Sequence, residues 1–412
     1  MAFLCETPSP SRRALLLTGG AMVAWAYLPK FARAADGRDP RLIVIILRGA
    51  LDGLSALAPV GDPDYARLHG DIALSLTGTN AALPLDSFFA LNPSMPTFAR
   101  LYKDGQALAV HAVATSYRER SHFDGQDVLE SGYPGPGRVD SGWLNRAIAN
   151  LPAGDKVRPV RGLGVGAVAP LVMRGHAPVL GWAPQNLPTA GDDLAARVLD
   201  LYKHRDPMLE QALREGLDTD KMATAGGLSG DMARSRGAMD QPAGMRQAAM
   251  GAAKLIVEDD GPRVAALEFD GWDTHANEGG ATGQLANRLS GLDGAFDEFQ
   301  KGLGDKWKDT AIVAITEFGR TARINGTVGT DHGTGTVAFL AGGAVKGGRM
   351  IADWPGLKDN QLYQNRDLAP TTDLRGVLKG LLADQFGLSA AVLGDKVFPE
   401  SGAVKPMQGL IA

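Results

Sequence analysis

Leu42-Ile43-Val44-Ile45-Ile46-Leu47 runs directly into Arg48-Gly49-Ala50-Leu51-Asp52-Gly53. Six apolar residues in a row, with no polar alternation, describe a strand covered on both faces, the pattern of a parallel sheet lying between helices. The polar step that follows sits at the strand's carboxyl end, where open α/β sheets bind their ligands. Similar short apolar runs occupy residues 107–113, 264–269, 310–316 and 336–340. Helical stretches separate them at residues 96–103, 125–130, 283–302 and 373–386. This alternation predicts an α/β fold with a mostly parallel sheet flanked by helices. Residues 190–262 differ: they hold six of the twelve methionines and no strand pattern, and predict a helical Met/Ala-rich insertion in which methionine fills gaps between helices.

The chain has 412 residues, 44% hydrophobic and 21% charged, which excludes disorder. Its one cysteine, Cys5, excludes disulfides and Cys-ligated metals, so any metal must take oxygen and imidazole ligands. A formal charge of −4 gives no footprint for nucleic acid. Near the start, Arg12-Arg13 precedes a weakly apolar run from Ala14 to Leu28, and Ala32-Arg33-Ala34 has the small residues of a cleavage site. Residues 1–34 thus read as a twin-arginine signal served by the corresponding export machinery, leaving a periplasmic domain of residues 35–412 with no membrane span. Residues 1–34 carry four basic side chains against Glu6, so cleavage takes the formal charge from −4 to −7.

The chemistry gathers where strands end. Asp52 follows the first strand, although Asp-Gly there is equally a turn. The 264–269 strand leads into Asp270-Gly271-Trp272-Asp273-Thr274-His275, a carboxylate and an imidazole spaced to bite a metal. The 310–316 strand ends at Glu317-Phe318-Gly319-Arg320, followed by Gly329-Thr330-Asp331-His332-Gly333, where glycine lets the backbone approach an ion closely. Ser121-His122-Phe123-Asp124 opens a helix: Ser121 is placed both to cap it and, beside a metal, to act as a nucleophile. Of the seven histidines, His69 and His204 read as solvated, His111 as a core residue and His176 as ambiguous; His122, His275 and His332 stand in polar motifs. No Gly-x-Ser-x-Gly elbow, P-loop or His-Glu-x-x-His helix is present.

Leu47-Arg48-Gly49 with Asp52-Gly53-Leu54, Ser121-His122-Phe123, Ser141-Gly142-Trp143-Leu144, Gly271-Trp272-Asp273-Thr274-His275, Glu317-Phe318-Gly319-Arg320-Thr321 and Gly329-Thr330-Asp331-His332-Gly333 together resemble the DUF1501 family of exported proteins. That family is grouped by resemblance with the alkaline phosphatase and sulfatase superfamily. The resemblance implies an alkaline-phosphatase-like sheet holding one or two divalent metals. It implies Asp52, Asp273, His275, Glu317 and His332 as metal ligands and Ser121 as nucleophile, and Asp331, beside His332, is a further metal-ligand candidate. His122 beside it and Arg320 complete the catalytic candidates. Glu317 lacks the adjacent histidine of many relatives, the Asp273 to His275 spacing is short, and Ala50-Leu51 replaces a Gly-rich step; these departures bear on the second metal. No Cys-x-Pro-x-Arg occurs, so formylglycine chemistry is excluded. Imidazole ligands place Zn or Mn ahead of Mg or Ca. The expectation is an exported metal-dependent hydrolase-like protein acting on small-molecule or glycan phosphate or sulfate esters. The competing expectation is a non-catalytic envelope protein of the same fold that binds a polysaccharide or protein partner.

Overall fold

The structure is a computed structural model that describes residues 38–137, 140–151, 162–166, 168–183 and 239–412, with isolated positions between 198 and 214. The signal segment 1–34, His204 and most of the 190–262 insertion lie outside the described residues.

Strand β1, Arg41–Leu47, has every residue buried. Its side chains alternate between two cores. Ile43, Ile45 and Leu47 enter one, and Leu42, Val44 and Ile46 the other. Fully burying one such side chain contributes about 1.5–3 kcal/mol, so this strand anchors both layers. Parallel neighbours flank it on each side, as an unbroken apolar run requires.

In chain order the remaining strands are β2 (Leu57–Ala58), β3 (Leu83–Pro84), β4 (Ala90–Leu91), β5 (Ala107–Ala114), β6 (Gly162–Val165), β7 (Val179–Trp182), β8 (Val264–Phe269), β9 (Thr310–Ile315), β10 (Thr336–Ala341), β11 (Arg349–Ile351) and β12 (Thr372–Asp373). The main sheet runs β11-β5-β10-β9-β1-β8-β6-β7, with β12 also on β5, while β2, β3 and β4 form a small separate sheet. Every pairing in the main sheet is parallel except those of β10, which runs antiparallel to both β5 and β9.

The longer helices are α1 (Pro96–Lys103), α2 (His122–Ser131), α3 (Trp143–Ala149), α4 (Pro242–Ile256), α5 (Gln284–Leu303) and α6 (Leu374–Phe386). Helices α1, α4 and α5 cover one face through Phe98, Met245 and Phe296. On the other face, α3 and α6 supply Trp143, Leu144, Val377 and Leu381. The α/β, mostly parallel architecture is therefore observed. Two corrections accompany it. Two strands, β6 and β7, were not expected, because Gly162-Leu163-Gly164-Val165 is short and half glycine. Helix α2 begins three residues before the expected 125, placing His122 in its first turn. Within 190–262, the described helix is α4, which packs on α5. Among the described residues, no helix is long and apolar enough to cross a membrane.

Candidate metal centre

The carboxyl ends of β1, β8 and β9 and the start of α2 meet at one point. Gly49, at φ +122°, permits this: a Cβ there would stand 2.5 Å from the Asp273 backbone nitrogen. Gly333 serves the other side, where a Cβ would fall 2.3 Å from the Arg320 carbonyl. An antiparallel bridge between Arg320 and His332 then aligns the two motifs of the segment that joins β9 to β10.

Three imidazoles converge. His332 Nε2 lies 2.9 Å from His122 Nε2 and 3.0 Å from His275 Nε2. The Asp273 carboxylate closes the group, 3.0 Å from His275 Nε2, 3.3 Å from His332 Nε2 and 3.4 Å from His122 Nε2. Each imidazole has its other nitrogen on an acceptor: His122 Nδ1 on Glu317 Oε1 at 2.8 Å, His275 Nδ1 on Asp331 Oδ1 at 3.2 Å, and His332 Nδ1 on the Arg120 carbonyl at 3.1 Å. These acceptors assign the ring protons to Nδ1 and turn three Nε2 lone pairs toward one another and toward a carboxylate. Lone pairs facing each other at this range repel, and a cation between them removes the conflict. In a tetrahedral site with bonds of about 2.0–2.1 Å, donor atoms lie roughly 3.3 Å apart; His122, Asp273 and His332 form a compact group of that kind, and His275 reaches two of its members, His332 and Asp273. Acceptors on Nδ1 are the usual outer partners of metal-binding histidines.

The electrostatics agree. Burial alone would raise the Asp273 carboxyl, but Arg320, with His275, His122 and His332, outweighs it and holds the group below the usual range. Glu317 is likewise held low against its burial, mainly by the hydrogen bond from His122. That same bond raises His122, while burial and the charge of His122 lower His332. Arg320 is fully buried, and its Nη2 stands 2.8 Å from Asp273 Oδ1. The two groups are close without being aligned, so Nε, Nη1 and Nη2 all lack a hydrogen-bond partner among the described residues. An unsatisfied buried guanidinium is costly, and an oxyanion beside the cluster would satisfy it. Four non-glycine residues bordering the site have positive φ: Ala50 at +66°, Arg120 at +60°, Asn277 at +48° and Val328 at +55°. Such strain persists where the surroundings over-determine a geometry, and here Arg120 turns its carbonyl onto His332.

Several expected roles change. Glu317 has Oε1 on His122 and the Gly49 N–H, and Oε2 on Thr316 Oγ1, so it backs a ligand instead of being one. Asp331 Oδ1 is likewise occupied by His275 and Asn325. His122, expected as a catalytic partner of Ser121, stands within the cluster itself. Asp52 lies outside it. One oxygen of Asp52 caps a short helix through the Leu54 N–H, and the other takes His69 Nε2 at 3.0 Å. His69, read as solvated, is fully buried and stacks on Tyr65, whereas His111 is a core residue as expected and His176 is exposed. Beside Asp52 lies Glu278, which no sequence motif marked; burial and the charge of Asp52 push its carboxyl well up. Ser121 occupies the N-cap position of α2 but makes no capping bond. Its backbone N–H donates to the Tyr117 phenol oxygen at 3.3 Å, and that phenol donates in turn to Asp124 Oδ2 at 3.2 Å.

The family model described as "Protein of unknown function (DUF1501)" matches residues 39–397. No protein of curated function matches the chain by sequence. Solved structures similar to it include Ps i-CgsB in complex with k-i-k-neocarrahexaose, at 11% identity and TM-score 0.37, covering 90% of this chain and 76% of that one. Phosphonoacetate hydrolase from Sinorhizobium meliloti 1021 in complex with phosphonoformate is similar at 13% identity and TM-score 0.31, over 69% of this chain and 57% of that one. A protein in the alkaline phosphatase superfamily from Vibrio parahaemolyticus is similar at 11% identity and TM-score 0.34, over 76% and 63%.

Proposed function

The chain belongs to the DUF1501 family, and we propose that it is an exported, metal-dependent hydrolase-like protein acting on phosphate or sulfate esters. One observation carries the reading: His122 Nε2, His332 Nε2 and the Asp273 carboxylate form a compact donor group with His275 Nε2 against two of its members, beside a buried Arg320 guanidinium ion-paired with Asp273 whose nitrogens lack a hydrogen-bond partner among the described residues. His122, His275, His332 and Asp273 would hold one divalent ion, Zn or Mn by the chemistry of the donor set. Bound there, it would withdraw charge from an ester oxygen and lower the pKa of a nearby hydroxyl. Glu317, Asp331 and the Arg120 carbonyl orient the imidazoles. Arg320 binds a non-bridging oxygen of the ester, which becomes equatorial in the transition state, and neutralises its charge. Ser121 attacks phosphorus or sulfur, forming the new ester as the leaving alkoxide departs. The Ser121 proton goes to Asp124, the nearby carboxylate held by the Tyr117 phenol that also accepts from the Ser121 N–H. Export rests on the Arg12-Arg13 pair and the small-residue site at Ala34.

The test has two parts. Protein purified without chelator should hold about one divalent ion per chain, and His275→Ala should release it; a metal-free native protein would remove the basis of the mechanism. Where ester turnover is detected, Ser121→Ala should lower kcat at least a hundredfold with metal content and fold retained, because the covalent path is gone. Unchanged turnover would refute the nucleophile. The second reading, a non-catalytic envelope protein that keeps the metal and binds a polysaccharide or protein, is favoured by the setting of Ser121, whose N–H is on the Tyr117 phenol and whose hydroxyl has no hydrogen bond to the imidazole cluster among the described residues.

A further inference from the structure

A cleft of about 210 Å³ opens beside the imidazole cluster, lined by Thr321, Arg323, Asn325, Asp331, Asn365 and Arg366 among others. It shares a wall with the cluster. Asp331 Oδ1 accepts from both His275 Nδ1 and Asn325 Nδ2, and Arg366 Nη2 donates to the His332 carbonyl at 2.7 Å. The wall's one carboxylate is therefore engaged through Oδ1 by His275 and Asn325.

The rest of the lining is short of acceptors. Among the described residues, the Arg323 side chain is paired with Asp359, at 3.4 Å, across an exposed contact where water screens the pair. Arg366 has Asp367 at 3.8 Å, but that carboxylate is already held by Arg120 at 2.8 Å. Asn365 makes no side-chain hydrogen bond to the described residues. It sits with Gln364 in two successive left-handed positions, φ +55° and +54°, a strained pair pinned by the Arg120 to Gln364 hydrogen bond. Beyond the Arg366 bond to the His332 carbonyl and the exposed Arg323–Asp359 pair, the two guanidinium groups and the Asn365 amide leave donors around the cleft for an anion, and Arg is the side chain best suited to phosphate or sulfate.

We propose that this cleft receives a second anionic group of the substrate. The substrate class is then a molecule with two phosphate or sulfate groups, one at the imidazole cluster and the other between Arg323 and Arg366. This rests on the reading of the cluster as the ester site. The position explains why a cleft meant for an anion shares a wall with histidine partners: occupation of the cleft sets the register of the reacting group against His275 and His332.

The experiment uses the full chain loaded with zinc and alkanediol bisphosphates of two to six carbons, each compared by calorimetry with its monophosphate at low salt. At one or more lengths the bisphosphate should bind at least tenfold tighter. Arg323→Gln should bring that ratio below threefold, because Arg323 contributes nothing to the fold beyond an exposed ion pair. Arg67→Gln, which removes the other arginine near Asp359, should leave the ratio intact. A ratio near one at every length, in protein that holds zinc and binds inorganic phosphate, overturns the cleft, as does a tenfold ratio that survives in Arg323→Gln. A chain that takes up no zinc yet binds bisphosphate through Arg323 overturns the ester-site reading and keeps the cleft. Loss of both zinc and bisphosphate binding overturns both.

Discussion

Replacing Glu317 by glutamine isolates the part a buried carboxylate plays behind His122. Glu317 is fully buried, and its oxygens take His122 Nδ1 at 2.8 Å, the Gly49 N–H at 2.9 Å and Thr316 Oγ1 at 2.8 Å. Glutamine fits the same space. Its oxygen keeps the bonds from His122 and Gly49, and its amide donates to Thr316 Oγ1, which then gives its own proton to the Leu47 carbonyl 2.7 Å away. The change thus removes a charge and leaves the hydrogen bonds in place. An outer carboxylate on a metal-binding histidine is worth 10 to 100-fold in affinity, about 1.4–2.7 kcal/mol. Zinc affinity of Glu317→Gln, measured at pH 7.5 by competition with a chromophoric chelator, should fall by that factor while stoichiometry and thermal unfolding of the chelated protein stay unchanged. Affinity equal to that of the parent would refute the role assigned to Glu317. Complete loss of stoichiometric zinc would make it a direct ligand and refute the geometry.

Glu130, buried and close to Glu268, has its carboxyl raised from 4.5 to about 7 despite Arg48 nearby. The folded state therefore holds a proton that the unfolded chain releases, and stability falls as pH rises from 4.5 through 7, by about 3 kcal/mol for this group. Urea unfolding at pH 5 and pH 8 should show that loss, and Glu130→Gln should flatten it; an equal slope in the variant would rule the group out. Phe296→Ala, emptying a fully buried position against Phe98, should cost about 3–5 kcal/mol in the same assay, and a loss under 1 kcal/mol would contradict the packing of α5 on the sheet. Changing Arg12 and Arg13 to lysine should leave precursor in the cytoplasm, detectable by fractionation, whereas normal export would remove the twin-arginine reading.

The five strands read from apolar runs lie within one residue of their observed ends, because a strand buried on both faces leaves an unmistakable run. Strand β6 leaves none: glycine at alternate positions offers no side chains to form a pattern. At the site, His122, Asp273, His275 and His332 all stand in the motifs singled out beforehand. What spacing did not reveal was which atom faces which. Glu317 and Asp331 look the same in a sequence whether a carboxylate touches an ion or touches the imidazole that does. His69 misled for a related reason. It follows Arg67-Leu68 on a short helix, and only the fold turns Arg67 outward and His69 onto Asp52.

The reversed direction of β10 has a consequence for the order in which the molecule assembles. Because β10 returns along β9, the segment between them begins and ends at the same end of the sheet, and carries Glu317, Arg320, Asp331 and His332 without a crossover. Those groups can gather through contacts of short sequence separation, which form early and at small entropic cost. His122 arrives from 210 residues away and waits for the distant strands to pair. His332 and its neighbours in the hairpin are therefore expected to gather before His122 joins them. In a refolding experiment followed by pulsed hydrogen exchange, the amides of β9 and β10 should gain protection before those of α2.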